Sequence, residues 1–171
     1  LKQKGVGLVI SVDCGIRSVA EVVHANEIGL DMIVTDHHSL GPELPPAVAV
    51  INPKRPDSDY PEKMLAGVGI AFKLAQALRL TLPERAMYAD HDLLDLVAIG
   101  TVADLAPLLG ENRRLVIQGL DALNQSRRAG VQALVQICGY QMGQLSAESI
   151  GFGLGPRINA GGRVGKSDLG V

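Results

Sequence analysis

Two apolar runs that both stop at acids constrain the fold of this chain more than anything else in it. Leu8-Val9-Ile10-Ser11-Val12 ends in Asp13-Cys14-Gly15, and Ile33-Val34-Thr35 ends in Asp36-His37-His38-Ser39. An apolar or β-branched run that breaks off abruptly at polar residues is the mark of a buried parallel strand leaving its sheet. Between the two runs, Val19, Val22, Val23 and Ile28 recur at approximately helical spacing, with Glu21 and Glu27 among the polar positions. Gly29 can end that helix. The pattern predicts a strand over 6–13, a helix over 17–28 and a strand over 31–35. Such a crossover is right-handed and joins parallel strands. Parallel strands end on the same side of a sheet, so Asp13 and Asp36-His37-His38 are expected together on one rim.

That rim is where open α/β sheets bind ligands. Asp and His supply oxygen and nitrogen donors suited to Mg, Mn, Fe or Zn. The bland alternative makes His37 and His38 ordinary turn residues. Two adjacent histidines behind an acid, in a chain with four histidines, favour a metal site.

The rest of the chain supplies a framework for that rim. Hydrophobic residues make up 47% and aromatics 3%, with no Trp, so the core must be aliphatic. Pro42, Pro45 and Pro46 mark a loop. Ala47 to Ile51 reads as a third strand ending in Asn52-Pro53-Lys54-Arg55-Pro56, and 57–64 reads as irregular and exposed. Gly67 and Gly69 open a helix over 70–80, where close backbone approach is the better reading than a phosphate cradle. A second apolar helix covers 92–103, with Asp92 and Asp95 expected to cap it or face solvent. Asp104 follows a run hydrophobic nearly all round and is expected to be drawn inward. There it needs a partner, a proton or a metal. Helices over 111–124 and 131–137 make an all-helical extension, and Ser146 to Ser149 can cap another helix. The glycine-dense stretch 151–163 reads as too rich in glycine for a helix or a strand core. Arg157 and Arg163, with Asn159, suit it to phosphate contact rather than to a plain linker.

Net charge is −2, so no global field announces nucleic acid, although a local basic patch is compatible with it. Cys14 and Cys138 form neither a disulfide framework nor a Cys-based zinc pattern, which suits a reducing cytoplasm. No apolar run is long enough to span a membrane, and no signal-peptide pattern is visible. The opening Leu1 and the unterminated end at Val171 are expected to mark a piece of a longer protein.

Taken together, five stretches resemble the DHH phosphoesterase superfamily. They are Ser11-Val12-Asp13-Cys14-Gly15, Thr35-Asp36-His37-His38, Leu65 to Leu74, Asp95 to Asp104, and Gly155-Pro156-Arg157-Ile158-Asn159-Ala160-Gly161-Gly162-Arg163. The last selects, within the superfamily, the RecJ-type single-stranded-DNA-specific exonucleases. The resemblance implies an α/β fold with a parallel, Rossmann-like sheet of the DHH type, its first strand missing, followed by a helical segment. It implies a DHH domain over 1–108, a helical extension over 109–150 and a Gly/Arg-rich motif over 151–171 leading to a further domain. Carried over position by position, Asp13 resembles a carboxylate bridging two metals, and His37 and Asp104 further metal ligands. His38 resembles the residue touching the metal-bound phosphate. Asp36 is either part of that catalytic group or orients a histidine. Arg157, Asn159 and Arg163 match the stretch that holds the DNA backbone.

The implied activity is Mn²⁺- or Mg²⁺-dependent 5′→3′ digestion of single-stranded DNA in repair and recombination. Replication or repair proteins are implied as further partners. The pattern also implies an Asp-x-Asp ahead of Leu1, so the 171-residue chain alone is expected to be nearly inactive. Two alternatives stand beside this reading. One is a small-substrate relative: an oligoribonuclease, a cyclic-dinucleotide phosphodiesterase or a pyrophosphatase. The other is a non-catalytic nucleic-acid-binding or scaffold relative.

Overall fold

Three parallel strands form where the apolar runs predict them: β1 (Leu8–Val12), β2 (Asp31–Thr35) and β3 (Ala49–Ile51), in the order β1-β2-β3. The computed structural model describes residues 1–85 and 87–164, the last three of these by backbone alone. The register sets Val12 beside Thr35 and Thr35 beside Ile51. The ladder runs one residue further on each strand. Asp13 N–H donates to the Thr35 carbonyl at 2.9 Å, and Asp36 N–H to the Ile51 carbonyl at 3.0 Å. Asp13, Asp36 and Asn52 therefore leave the carboxyl end of the sheet in a row.

Helix α1 (Val19–Glu27) makes the crossover and buries Val22 and Ala25. Its stop is the expected one. Gly29 takes φ 68°, and Leu30 N–H closes onto the Ala25 carbonyl at 2.8 Å. Strand β1 departs from the expected burial. Leu8, Ile10 and Val12 share one face and are nearly half exposed, as an edge strand with one open face allows.

The chain divides into two compact units, Leu1–Ala75 and Gln76–Val171, with the division falling inside helix α2 (Gly67–Thr81). The second unit contains α3 (Leu94–Ala103), α4 (Gly110–Asn124) and α5 (Ala129–Ile137). A π-helical turn over Ser149–Leu154 then leads into α6 (Gly155–Val164). Ala98, Val116, Leu123, Val135, Ile150 and Leu154 anchor its aliphatic core. A side chain at Gly119 would overlap the Leu94 carbonyl and lie 2.6 Å from Ala98 Cβ, so this glycine lets α3 and α4 meet at close range.

Three expectations fail in this unit. Asp95 neither caps nor faces solvent. It is 4% exposed, and its carboxylate accepts hydrogen bonds from Ser126 Oγ (2.8 Å), Arg128 Nε (3.0 Å) and Leu96 N–H (2.8 Å). The helix is apolar on all sides, so it is buried on most of them, and the acid goes in with it. Arg128, 33 residues away, brings the counter-charge.

Asp104 is the reverse case. It is exposed and forms the C-cap of α3. The next residue, Leu105, takes φ 57°, a left-handed conformation that costs a branched side chain roughly 1–2 kcal/mol. The apolar run thus ends at Ala103, and Asp104 is its exposed cap rather than its last buried residue.

The third failure is the glycine-dense stretch, which is helical rather than irregular. A Cβ on Gly153 would collide with the Tyr140 ring, and one on Gly155 would sit 3.1 Å from Ala103 Cβ. These glycines admit neighbouring side chains, and that packing outweighs their low helix propensity of about 1 kcal/mol each.

Candidate metal centre

Asp13 stands directly after β1 with φ 65°, one of two non-glycine residues with positive φ among those described. Asp tolerates this conformation better than most residues, and strain of this kind gathers at functional sites. Gly67, the first residue of α2, lies against it. A Cβ there would overlap the Asp13 carboxylate and come within 2.9 Å of Asp13 Cβ. The close-approach reading of Gly67 is thereby explained by a particular neighbour.

The loop after β2 closes the site. His37 Nε2 lies 3.0 Å from Asp13 Oδ1. The His37 and His38 rings meet edge to face with centroids 4.5 Å apart. Asp36 is 1% exposed and saturated with donors. Its Oδ2 accepts Ile16 N–H at 2.9 Å. Its Oδ1 accepts His37 N–H at 2.8 Å, His38 N–H at 3.1 Å and the His38 ring Nδ1 at 2.7 Å. Burial pushes the Asp36 carboxyl up. The Ile16 N–H, the His38 ring, and the N–H groups of His38 and His37 pull it down further, so it stays below the usual carboxylate value. An ionised carboxylate only accepts, so the His38 Nδ1 carries the proton. The His38 side chain is 59% exposed, and its Nε2 is left for chemistry outside.

One donor atom from each of Asp13, Asp36, His37 and His38 lies within 4.8 Å of the others. The donor set fits a divalent ion. Two ligand atoms at right angles, each about 2.1 Å from a metal, are about 3 Å apart. That is the separation of Asp13 Oδ1 and His37 Nε2. Asp36 is already committed to four donors, so Asp13 and His37 could hold an ion more readily than it could. Asp104 lies in the second compact unit, at the end of α3. Arg157 and Asn159 are exposed on α6, and Arg157 Nη1 donates to the Gly153 carbonyl at 3.0 Å. The side chain of Arg163 and all of 165–171 lie outside the described residues. The sequence reading missed the Ile16 N–H as a hydrogen-bond donor to Asp36; a backbone N–H leaves no sequence signal.

Because the Asp36 carboxyl is held below its unfolded value, its stabilisation is present above about pH 4 and is lost as pH falls through the folded value. Urea unfolding at pH 7, 5 and 3 is expected to show a steeper acid loss in the parent chain than in the Asp36→Asn variant. Equal slopes would contradict the hydrogen-bonded, ionised Asp36.

Comparison with known proteins identifies the family. Residues 3–101 match the DHH family, N-terminal domain. The chain is 48% identical over 171 residues to the single-stranded-DNA-specific exonuclease RecJ of Bacillus subtilis, covering 100% of this chain and 21% of that protein. It is 44% identical to RecJ of Escherichia coli, covering 98% of this chain and 31% of that protein. It superposes on a crystal structure of exonuclease RecJ bound to manganese with a TM-score of 0.80 and 39% identity, over 95% of this chain and 40% of that one. The RecJ structure from Thermus thermophilus in complex with Mn²⁺ gives 0.79 at 38% identity, over 95% and 24%. The chain thus spans about a fifth to a third of the length of these curated relatives. With its aliphatic parallel sheet, its Asp-His-His strand end and this match over residues 3–101, the chain belongs to the DHH family.

Proposed function

We propose that this chain is the metal-holding part of a phosphodiesterase that digests single-stranded DNA from the 5′ end. The observation that carries the reading is the pairing of Asp13 and His37 donors 3.0 Å apart, beside a His38 imidazole whose free edge is exposed. Mn²⁺ or Mg²⁺, the ions with which RecJ relatives were crystallised, would supply a Lewis acid and a hydroxide nucleophile at neutral pH if held by these donors. Asp13 and His37 are the ligands from the first unit, and Asp104 is assigned as a further ligand on the family pattern. His38 presents Nε2 to the phosphate. Asp36 acts through His38 by fixing its tautomer and orientation. Arg157, Asn159 and Arg163 hold the DNA backbone, since phosphate contacts position a strand without reading its sequence.

The division into a DHH domain over 1–108, a helical extension over 109–150 and a Gly/Arg motif over 151–171 belongs to this proposal. So does a cytoplasmic location, where the free thiols Cys14 and Cys138 stay reduced.

The test is digestion with Mn²⁺ of a 5′-labelled single strand, a 3′-labelled one, a duplex, a dinucleotide and pyrophosphate. It uses the full-length protein that carries this chain, and the chain alone. Stepwise loss of the single strand from its 5′ end by the full-length protein, with the chain alone nearly inert, is expected. Faster turnover of the dinucleotide or of pyrophosphate would overturn the reading in favour of a small-substrate relative.

A further inference from the structure

Strand β3 ends, as the other two strands do, in a polar residue. Asn52 is 3% exposed, and both ends of its amide are used. Nδ2 donates to the His38 carbonyl at 3.0 Å, and Oδ1 accepts Lys54 N–H at 2.9 Å. His38 is therefore gripped from two strands. Asp36, after β2, takes its N–H and its ring Nδ1. Asn52, after β3, takes its carbonyl. The imidazole itself is mostly solvated, so packing does little to fix where its free edge points. That direction is inherited from the backbone at His38 and from the Asp36 bond, with the His37 ring meeting it on one edge.

We propose that Asn52 is a positioning residue for His38, holding its main chain so that Nε2 faces the reacting phosphate. The inference rests on the role of His38 given above. A bland role for Asn52 is closure of the 52–54 turn, which needs only the Oδ1 bond to Lys54 N–H. Positioning needs the Nδ2 bond to His38. Asn52→Asp separates the two roles: it keeps shape and acceptor, removes the donor and sets a carboxylate oxygen against the His38 carbonyl. Asn52→Ala removes both bonds.

The experiment uses the full-length protein with Mn²⁺ and a 5′-labelled single strand, with urea unfolding alongside. The ¹⁵N-histidine spectrum is recorded without metal. Asn52→Asp is expected to lower kcat by roughly 10–100-fold, the cost of losing an orienting partner, with KM and strand affinity within about twofold. The His38 ring signal should shift while those of His24 and His91 stay. Unchanged kcat, or losses in both variants that only track the folded fraction with the His38 signal unmoved, would overturn the assignment. A parent protein that does not cleave single strands would overturn the proposed function instead, and the His38 signal would still decide whether Asn52 positions that ring.

Discussion

Replacing His38 with alanine in the full-length protein is expected to lower hydrolysis of single-stranded DNA by roughly 10²–10⁴-fold, the usual contribution of one positioned proton-transfer or hydrogen-bonding group. Strand binding should survive. The ring is mostly exposed, so its removal leaves little cavity. Asp36 keeps three of its four donors, the N–H groups of Ile16, His37 and His38, and stays satisfied. The fold should therefore lose no more than about 1.5–3 kcal/mol, the net worth of one hydrogen bond to a charged group. Affinity for a single strand rests on backbone contacts elsewhere, which the substitution does not touch. Single-turnover cleavage and a mobility-shift titration at one fixed salt concentration separate the two effects. Near-normal cleavage with Mn²⁺ would remove His38 from the chemistry. Lost binding would instead make it a substrate anchor.

The strands and the gathering of Asp13 with Asp36-His37-His38 were legible because they rest on a short rule. Parallel strands joined by a helix must end together, and the last residue of each apolar run is visible in the sequence. The expected strand over 31–35 is β2 as found, and the helix over 17–28 shrinks to Val19–Glu27, with its glycine stop in place. What local pattern could not show depends on distant partners. Asp95 looks like a capping acid until Arg128 arrives from 33 residues away. Gly153 and Gly155 look like helix breakers until Tyr140 and Ala103 occupy the places their side chains would take. Asp104 is exposed as the cap where α3 ends, and Leu105 turns left-handed directly after it, of which leucine gives no warning. Asn52 stood at a strand end like the other site residues, and that shared position was the available signal. The roles at the phosphate came from the motif resemblance, since spacing alone says where donors gather and not what they act on.

Asp13→Asn is expected to lower Mn²⁺ affinity by on the order of 100-fold or more, above what the loss of an orienting partner costs, while leaving the metal-free fold intact. Asparagine is, with Asp, among the residues that accept a left-handed backbone, so φ 65° is retained without new strain. It also has nearly the same volume, so it fits beneath Gly67, where a larger group could not. What disappears is the negative charge facing His37 Nε2 at 3.0 Å. A neutral amide oxygen with a neutral imidazole leaves the ion without any anionic ligand from β1, and divalent hard cations favour carboxylate oxygen. Asp13→Ala provides the contrast. It removes the same charge but forces alanine into a left-handed turn, at a cost of roughly 1–2 kcal/mol. Both variants should therefore bind Mn²⁺ poorly, Asp13→Ala no better than Asp13→Asn, and differ in urea midpoint. Calorimetric titration with Mn²⁺ reads the first quantity, and urea unfolding monitored by circular dichroism reads the second. Parent-like Mn²⁺ affinity in the Asp13→Asn variant would mean that the ion is held elsewhere, and that the strained carboxylate after β1 serves the backbone rather than the metal.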